Sequence, residues 1–499
     1  MLFSQLLSAA GLRPRLVRGE AEVRDVQADS RLCRPGTCFV AVRGARNDGH
    51  RFISQALSAG ASAVVCQDGA AVPQRFPLAV LEETRSAPGL LAQAVRGWPA
   101  RRLIAIGITG TKGKSTTACL LRAALAEAGL RAGLLGTIAY ETGRRSLKAP
   151  TTTPGPVELA GMTAEMAEGG CSHLVMEVSS HALDQGRTAG IEFRVAVFTN
   201  LSGDHMDYHG TPEQYIAAKR RLFEGLGPGA SAVLNRDDPV SGTMAAAASR
   251  ARVLWYGLRP GADLRGDIRR IDYAGTDFVV SLGGSTGPAA GGREIPVRTP
   301  LMGRHNVYNC LAARGAAEGL GMDLERAAAA LAKVDRVAGR LQRVPVDAPY
   351  KVFVDYAHTD DALKNVLETL RDVERAGRVI VVFGCGGDRD ATQRPRMARV
   401  AEALADRLVI TSDNPRSEDP QAIVNEVAAG LSQAGRARAE LLVDRRSAIA
   451  RAVELASPGD VVLIAGKGHE TYQILGSRTV PFDDADVAAE IVRRREGLP

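Results

Sequence analysis

Leu103-Ile-Ala-Ile-Gly-Ile-Thr-Gly-Thr-Lys-Gly-Lys-Ser-Thr-Thr117 is the stretch that decides the fold. Its first half is a short apolar run, the pattern of a strand buried on both faces. It breaks at Gly110 and Gly113, then continues through Ser115 to Gly129 as an Ala- and Leu-rich helix. A strand, a glycine turn and a helix N-terminus in that order make a phosphate cradle, because small residues let backbone N–H groups approach phosphate oxygens. In such a cradle Lys114 reaches the outer phosphates, and Ser115 or Thr116 ligates magnesium. The full Walker spacing would put the first glycine at 108, which is Ile108, so this is a shortened G-x-x-G-K-[ST] loop. The competing reading is a glycine-rich turn with no ligand.

Working outward, His173 to Met176 and Val195 to Thr199 read as the next buried strands of the same domain. At 499 residues the chain is too long for one core, and at about 150 residues per domain it implies three. Residues 1–98 hold short strand-like runs (Cys38 to Val42, Ala63 to Cys66) and end at the Gly97-Trp98-Pro99 break. Residues 99–334 form the central domain. Its segment 228–300, rich in Gly and Pro, reads as loops and small strands on the edge. In 335–499 the runs VFVDYA, VIVVFG, RLVITSD and VVLIAG alternate with helical segments. The expected class is α/β: a small N-terminal α/β domain, a central P-loop ATPase-like parallel-sheet domain and a C-terminal Rossmann-like domain.

Composition narrows the function. Apolar residues at 45% and charged residues at 24% describe a folded globular chain. The net charge of +7 is spread along the chain without a basic block, which gives no support to nucleic-acid binding and suits anionic small substrates. Seven cysteines without a C-x-x-C pair argue against a disulfide framework or zinc ribbon and fit a reducing cytoplasm. No apolar run approaches 18 residues and the N-terminus lacks a signal-peptide pattern, so neither secretion nor a membrane span is expected. Lysine is scarce beside arginine, and four of the eight lysines, Lys112, Lys114, Lys219 and Lys467, fall inside motifs.

Met176-Glu-Val-Ser-Ser-His181 would present Glu177 at a strand's carboxyl end, where α/β sheets bind ligands. Glu177 is a candidate magnesium ligand, and a helix cap is the alternative. The loop from Asn200 to Gly210 crowds Asp204, His205, Asp207 and His209 together, which favours a cation. Capping aspartates and surface histidines are the other reading. Tyr215-Ile-Ala-Ala-Lys219 puts a lone lysine on an apolar helix face, by itself most often a snorkelling surface residue.

Together GTKGKSTT, MEVSSH, NLSGDHMDYHG, YIAAK, HNVYNCLAA (305–313), DYAH (355–358), DNPR (413–416) and GKGHE (466–470) resemble the Mur ligases, in particular the branch that extends UDP-N-acetylmuramoyl-L-alanyl-D-glutamate. The resemblance runs in order from Ser30 to Glu470. It implies that ATP phosphorylates the substrate carboxylate and that an amine attacks the acyl phosphate. It also implies two magnesium ions. ATP would contact Gly110, Thr111, Lys112, Gly113, Lys114, Ser115 and Thr116, with Asn309 at adenine and Asp355 at ribose, between the second and third domains. By the same resemblance Ser115, Glu177, His205 and a carbamylated Lys219 hold magnesium, and Lys114, Lys219 and His205 are the catalytic set.

Ser30, in a UDP-binding first domain, and Thr152, Thr153, Ser179, Gln185 and Arg187 match the UDP-sugar-dipeptide contacts. Asp413, Asn414, Pro415 and Arg416, with Arg394, Gly466 and Glu470, match the amino-acid site. There DNPR resembles the signature for meso-diaminopimelate, since an arginine can clamp a distal carboxylate bidentately. Two positions depart from the family pattern: Lys112 stands where many members have Asn, as in some lysine-adding members, and Asp361 stands where Pro is commoner. L-lysine is therefore the alternative amine. A folylpolyglutamate-synthase-like ligase and a non-catalytic P-loop switch are the alternative functions. A monomer in the cytoplasm, with no nucleic-acid or membrane partner, is the expected setting.

Overall fold

The computed structural model describes residues 1–44, 47–203, 205–283, 293–373 and 377–498. The chain divides into two compact units, one of Met1–Asp267, Val280–Ile295 and Tyr308–Leu331, the other of Ile268–Val279, Pro296–Val307 and Ala332–Pro499.

The first unit holds a five-stranded sheet in the order Leu16–Arg18, Leu78–Val80, Ala63–Cys66, Thr37–Val40, Asp25–Gln27. All its pairs are parallel except Leu16–Arg18 against Leu78–Val80. Ala63–Cys66 and Thr37–Val40 are buried along their whole length, as their β-branched and apolar runs require.

The same unit contains a run of parallel strands in the order Ala132–Leu135, His173–Glu177, Ile104–Thr109, Phe193–Phe198, Ser231–Asn235, Arg252–Gly257. Parallel pairing sends every carboxyl end to one edge. Ile104–Thr109 lies centrally, with Glu177 paired to Ile108 on one side and Phe198 to Thr109 on the other. The strand expected at Leu103 and the strands expected at His173 and Val195 are thus neighbours, and Gly110, Val178 and Thr199 leave the sheet together. The helix Lys114–Glu127 starts directly after the loop.

The described residues of the segment 228–300 are more regular than their composition implies. Ser231–Asn235 is a fully buried strand inside the sheet, and Arg252–Gly257, Leu264–Asp272, Gly275–Leu282 and Glu294–Thr299 are strands as well. Sheet pairing overrides the local turn chemistry of the flanking glycines and prolines.

The second unit carries a six-stranded sheet in the order Gln342–Arg343, Lys351–Asp355, Val461–Ala465, Val379–Phe383, Arg407–Ile410, Ala439–Leu441. Every pair is parallel except the first. Two apolar clusters cover its faces, one around Phe353, Val381 and Leu463 and the other around Val354, Val382 and Ile464. Alternate residues of one strand thus feed opposite cores, the doubly covered sheet expected of four continuous apolar runs. A hairpin, Tyr472–Leu475 with Arg478–Pro481, follows the last central strand. None of the seven cysteines is in a disulfide, and no helix among the described residues is long and apolar enough to cross a membrane.

Candidate active site

Gly110 and Gly113 shape the loop between strand and helix. Gly110 has φ +145° and Gly113 φ +85°. A Cβ at Gly110 would collide with Thr199 Oγ1, and one at Gly113 with Asn309 Oδ1. Only glycine meets both the backbone and the space requirement. The loop is tied to the neighbouring strand end: Thr199 Oγ1 donates to the Lys112 carbonyl at 2.6 Å, Asn200 Nδ2 donates to it at 3.1 Å, and the Lys112 N–H donates to Asn200 Oδ1 at 3.0 Å.

Two lysines converge on one carbonyl. Lys114 Nζ donates to Gly110 O and Thr111 O, each at 2.9 Å, and Lys219 Nζ donates to Gly110 O at 2.9 Å. Lys219 is 1% exposed and its ammonium lies 4.3 Å from the Tyr215 ring centroid. The buried cation thus has both a carbonyl and an aromatic face. The helix lysine singled out in the sequence therefore docks onto the Gly110 carbonyl of the loop and is not a surface residue.

Glu177 sits beside the same loop. Its carboxylate accepts from Ser115 Oγ at 3.0 Å, from the Thr137 N–H at 2.8 Å and from Thr137 Oγ1 at 3.1 Å. Thr137 also links to Thr152 at 3.1 Å, and Thr153 Oγ1 donates to the Glu177 carbonyl at 2.9 Å. The Ser179 N–H donates to Thr153 Oγ1 at 3.0 Å, and Arg187 Nη1 donates to the Thr153 carbonyl at 2.9 Å. Arg187 also grips Gln185 Oε1 at 2.7 and 2.9 Å. Burial pulls the Arg187 guanidinium below its ordinary value, against the opposing effect of Tyr140 and Tyr208. All five central-domain residues matched to the dipeptide thus form one hydrogen-bonded chain that ends on Glu177.

His205 is exposed, with φ +58°, and caps the short helix Met206–His209. Its ring is 4.9 Å from His181 and 6.2 Å from Tyr215, so it is linked to Lys219 through that tyrosine. Asp204 and the Asp207 side chain lie outside the described residues. Among those described, no cluster of three or more His, Cys, Asp or Glu side chains is arranged to hold a metal. Asn309 is buried and accepts from Thr117 Oγ1 at 3.5 Å, beside Gly113. Ser30 stands apart in the five-stranded-sheet region, donating to Gln55 Oε1 at 2.8 Å.

In the second unit the expected amino-acid residues gather at two strand ends, except Arg394, which lies on the helix Gln393–Leu404. Asn414 Nδ2 donates to Glu470 Oε2 at 2.8 Å, and Asn414 Oδ1 accepts from the Ile474 N–H at 2.9 Å. The wholly buried Lys467 ammonium completes the set, reaching Glu470 Oε2 at 3.1 Å and Asn414 Oδ1 at 3.3 Å. Gly466 has φ +119°, and a Cβ there would press on Asp413 Oδ2.

Arg416 adopts φ +53°, an uncommon backbone for a non-glycine residue, while its Nη1 donates to Gly387 O at 2.5 Å. Arg394 is buried and held by Glu418 at 2.8 and 2.9 Å and Glu426 at 2.7 Å. Burial pulls its guanidinium down, and Glu426 and Glu418 more than offset this, leaving it above its ordinary value. Asp355 accepts from the Leu341 N–H at 2.6 Å, and burial raises its carboxyl above the ordinary value despite the nearby Arg340. Its carbonyl accepts from the Gly466 N–H at 3.0 Å, which joins the DYAH and GKGHE strand ends.

Sequence reasoning gave no role to Thr137 and Asn200, whose partners lie far along the chain, or to Tyr215, whose ring faces Lys219. It noticed Lys467 for its rarity without giving it a role.

The matching family descriptions are Mur ligase family, catalytic domain over residues 22–97, Mur ligase middle domain over 108–317, and Mur ligase, glutamate ligase domain over 339–468. The chain is 42% identical over 498 residues to UDP-N-acetylmuramoyl-L-alanyl-D-glutamate--2,6-diaminopimelate ligase of Solibacter usitatus (strain Ellin6076), covering 99% of this chain and 98% of that protein. A solved structure bearing the same enzyme name is 34% identical, covers 95% of each chain and superposes with a TM-score of 0.67. Folylpolyglutamate synthase of Mycobacterium tuberculosis, solved with ADP and AMPPCP, shares the fold at a TM-score of 0.61 and 20% identity, covering 83% of this chain and 95% of that one. A phosphate loop that holds two lysines, a carboxylate fixed beside it and near-complete coverage at 42% identity meet in one conclusion: the chain belongs to the Mur ligase family.

Proposed function

We propose that this ligase uses ATP to join meso-diaminopimelate to the glutamyl carboxylate of UDP-N-acetylmuramoyl-L-alanyl-D-glutamate, a step of peptidoglycan precursor synthesis. The near-full-length likeness to a protein of that name carries the reading.

The carboxylate oxygen attacks the γ-phosphorus, the bond to the ADP oxygen breaks, and an acyl phosphate forms. The amine lone pair then adds to the acyl carbon, the tetrahedral intermediate expels phosphate, and the ammonium proton is lost. Little covalent work falls to the protein, whose task is positioning and charge neutralisation. The loop Gly110, Thr111, Lys112, Gly113, Lys114, Ser115 and Thr116 cradles the phosphates. Lys114, held over Gly110 and Thr111, meets the charge that develops on the transferring group. Asn309 and Asp355 contact adenine and ribose. Ser30, Thr152, Thr153, Ser179, Gln185 and Arg187 hold the UDP-dipeptide. Arg416 and Arg394 take diaminopimelate carboxylates, Gly466 and Glu470 take its distal head group, and Asp413, Asn414 and Pro415 complete that site.

Ser115 Oγ and Glu177 Oε2, 3.0 Å apart, are hard oxygen donors of the kind magnesium takes. With His205 and a carbamylated Lys219 they would hold two such ions. When bound, these supply charge neutralisation at the phosphates. Carbamylation would turn the enclosed Lys219 ammonium into an anion. Labelling with 13C-bicarbonate should give a carbamate resonance that Lys219→Arg lacks; an unchanged spectrum removes that assignment.

We further read the chain as three domains, 1–98, 99–334 and 335–499, acting as a cytoplasmic monomer without nucleic-acid or membrane partners. The five-, eleven- and six-stranded sheets support the division. The deciding assay is phosphate release with ATP, magnesium and the UDP-dipeptide, comparing diaminopimelate with L-lysine. Turnover with diaminopimelate alone is expected; turnover with lysine alone overturns the amine assignment, and none with either overturns the reaction.

A further inference from the structure

The two turns that carry DNPR and GKGHE leave adjacent regions of one sheet, yet no backbone ladder joins Arg407–Ile410 to Val461–Ala465, since Val379–Phe383 lies between them. One side chain bridges the gap. Arg445 opens the helix Arg445–Leu455 and is wholly buried. Its Nη1 donates to the carbonyl of Ser412, the residue before Asp413, at 3.3 Å. Its Nη2 donates to the carbonyl of Ala465, the residue before Gly466, at 3.0 Å.

Asp484, also fully buried and at the start of its own helix, holds the other edge of the fork at 2.8 and 2.7 Å. A carboxylate at a helix N-terminus is favoured by the helix dipole, and a bidentate fork fixes direction as well as charge. Burial pulls the guanidinium down, but Asp484, with Asp413 and Glu470 behind it, keeps it above its ordinary value. A buried ion pair is weak evidence for stability alone, because apolar residues fill such space at no loss. Here the fork's remaining donors end on the two carbonyls that launch the recognition turns.

We propose that Arg445, oriented by Asp484, is a positioning residue for amino-acid recognition: it sets the separation of the Asp413–Arg416 and Gly466–Glu470 turns. The inference rests on the reading of these turns as the diaminopimelate site.

The test is steady-state kinetics of the full chain with each substrate varied, for Arg445→Lys and for the paired replacement Arg445→Met with Asp484→Leu, which removes both charges of the buried pair together. Arg378→Met is the control, since it breaks an ion pair with Asp460 at the far end of the same central strand. In both Arg445 variants KM for diaminopimelate should rise about tenfold, with KM for ATP within about twofold of wild type. The control should leave both unchanged. An unaltered diaminopimelate KM in a folded variant, or equal rises for all three substrates, overturns the positioning role. Failure of the wild-type chain to use diaminopimelate overturns the underlying reading and the inference with it, an outcome visible before any variant is made.

Discussion

The phosphate loop of the first unit and the amino-acid turns of the second solve the same problem, holding charge ready for a ligand, by different means. At Gly110–Ser115 the backbone sets the shape and receives the contacts: two glycines with positive φ, carbonyls that receive Lys114 and Lys219, and a helix that starts where the loop ends. At Asp413–Arg416 and Gly466–Glu470 the holding is done by side chains from distant positions, with Lys467 joining Asn414 to Glu470 and Arg445 joining both turns to Asp484. A site made of backbone is local in sequence and tolerates few residues. A site made of side chains is dispersed and can be retuned one contact at a time.

That contrast breaks most sharply at Lys114. Lys114→Ala should lower phosphate release by about a hundredfold or more, because a preorganised charge is lost where charge develops. The measurement is single-turnover phosphate release at saturating substrates, and activity within a few-fold of wild type would remove Lys114 from the reaction. Arg416→Lys should act less severely and more selectively. It keeps the charge and loses the fork, so KM for diaminopimelate should rise about tenfold while KM for ATP stays within about twofold. Parallel rises in both would make Arg416 a general structural residue.

Asp355→Asn should give the smallest effect, one of stability. Burial raises the Asp355 carboxyl in the folded chain, so its stabilising contribution is complete at pH below the unfolded value and is lost as pH rises through the folded one. The neutral amide escapes that loss. The variant's Tm should therefore exceed wild type at neutral pH, and the gain should vanish in acid. A gain that is flat with pH would mean that the carboxyl does not titrate differently on folding.

The same contrast explains what the sequence could disclose. The loop was legible because strand, glycines, lysine and helix follow one another over fifteen residues, so spacing alone carries the geometry. The four apolar runs of the last domain were legible because strands buried on both faces are apolar without interruption. Ser231–Asn235 was not, since a five-residue strand flanked by Gly and Pro is locally indistinguishable from a loop until its neighbours pair with it. DNPR and GKGHE could be seen as turns, whereas the Lys467 and Arg445 bridges could not, because no rule of spacing links positions 445 and 484 or 412 and 465. Lys219 stands between the two cases. Its placement on an apolar helix face was readable, and its destination, the Gly110 carbonyl, appears only when the helix docks.

The close approach of Asn309 to Gly113 has a consequence for descent. Because any side chain at 113 would strike the Asn309 amide, the two positions cannot drift independently. A lineage could enlarge residue 113 only after shrinking residue 309, and it would then still bear the left-handed backbone that Gly113 relieves. The two sites, 196 positions apart by subtraction of 113 from 309, are in that sense a single inherited character, fixed by the width of one methyl group.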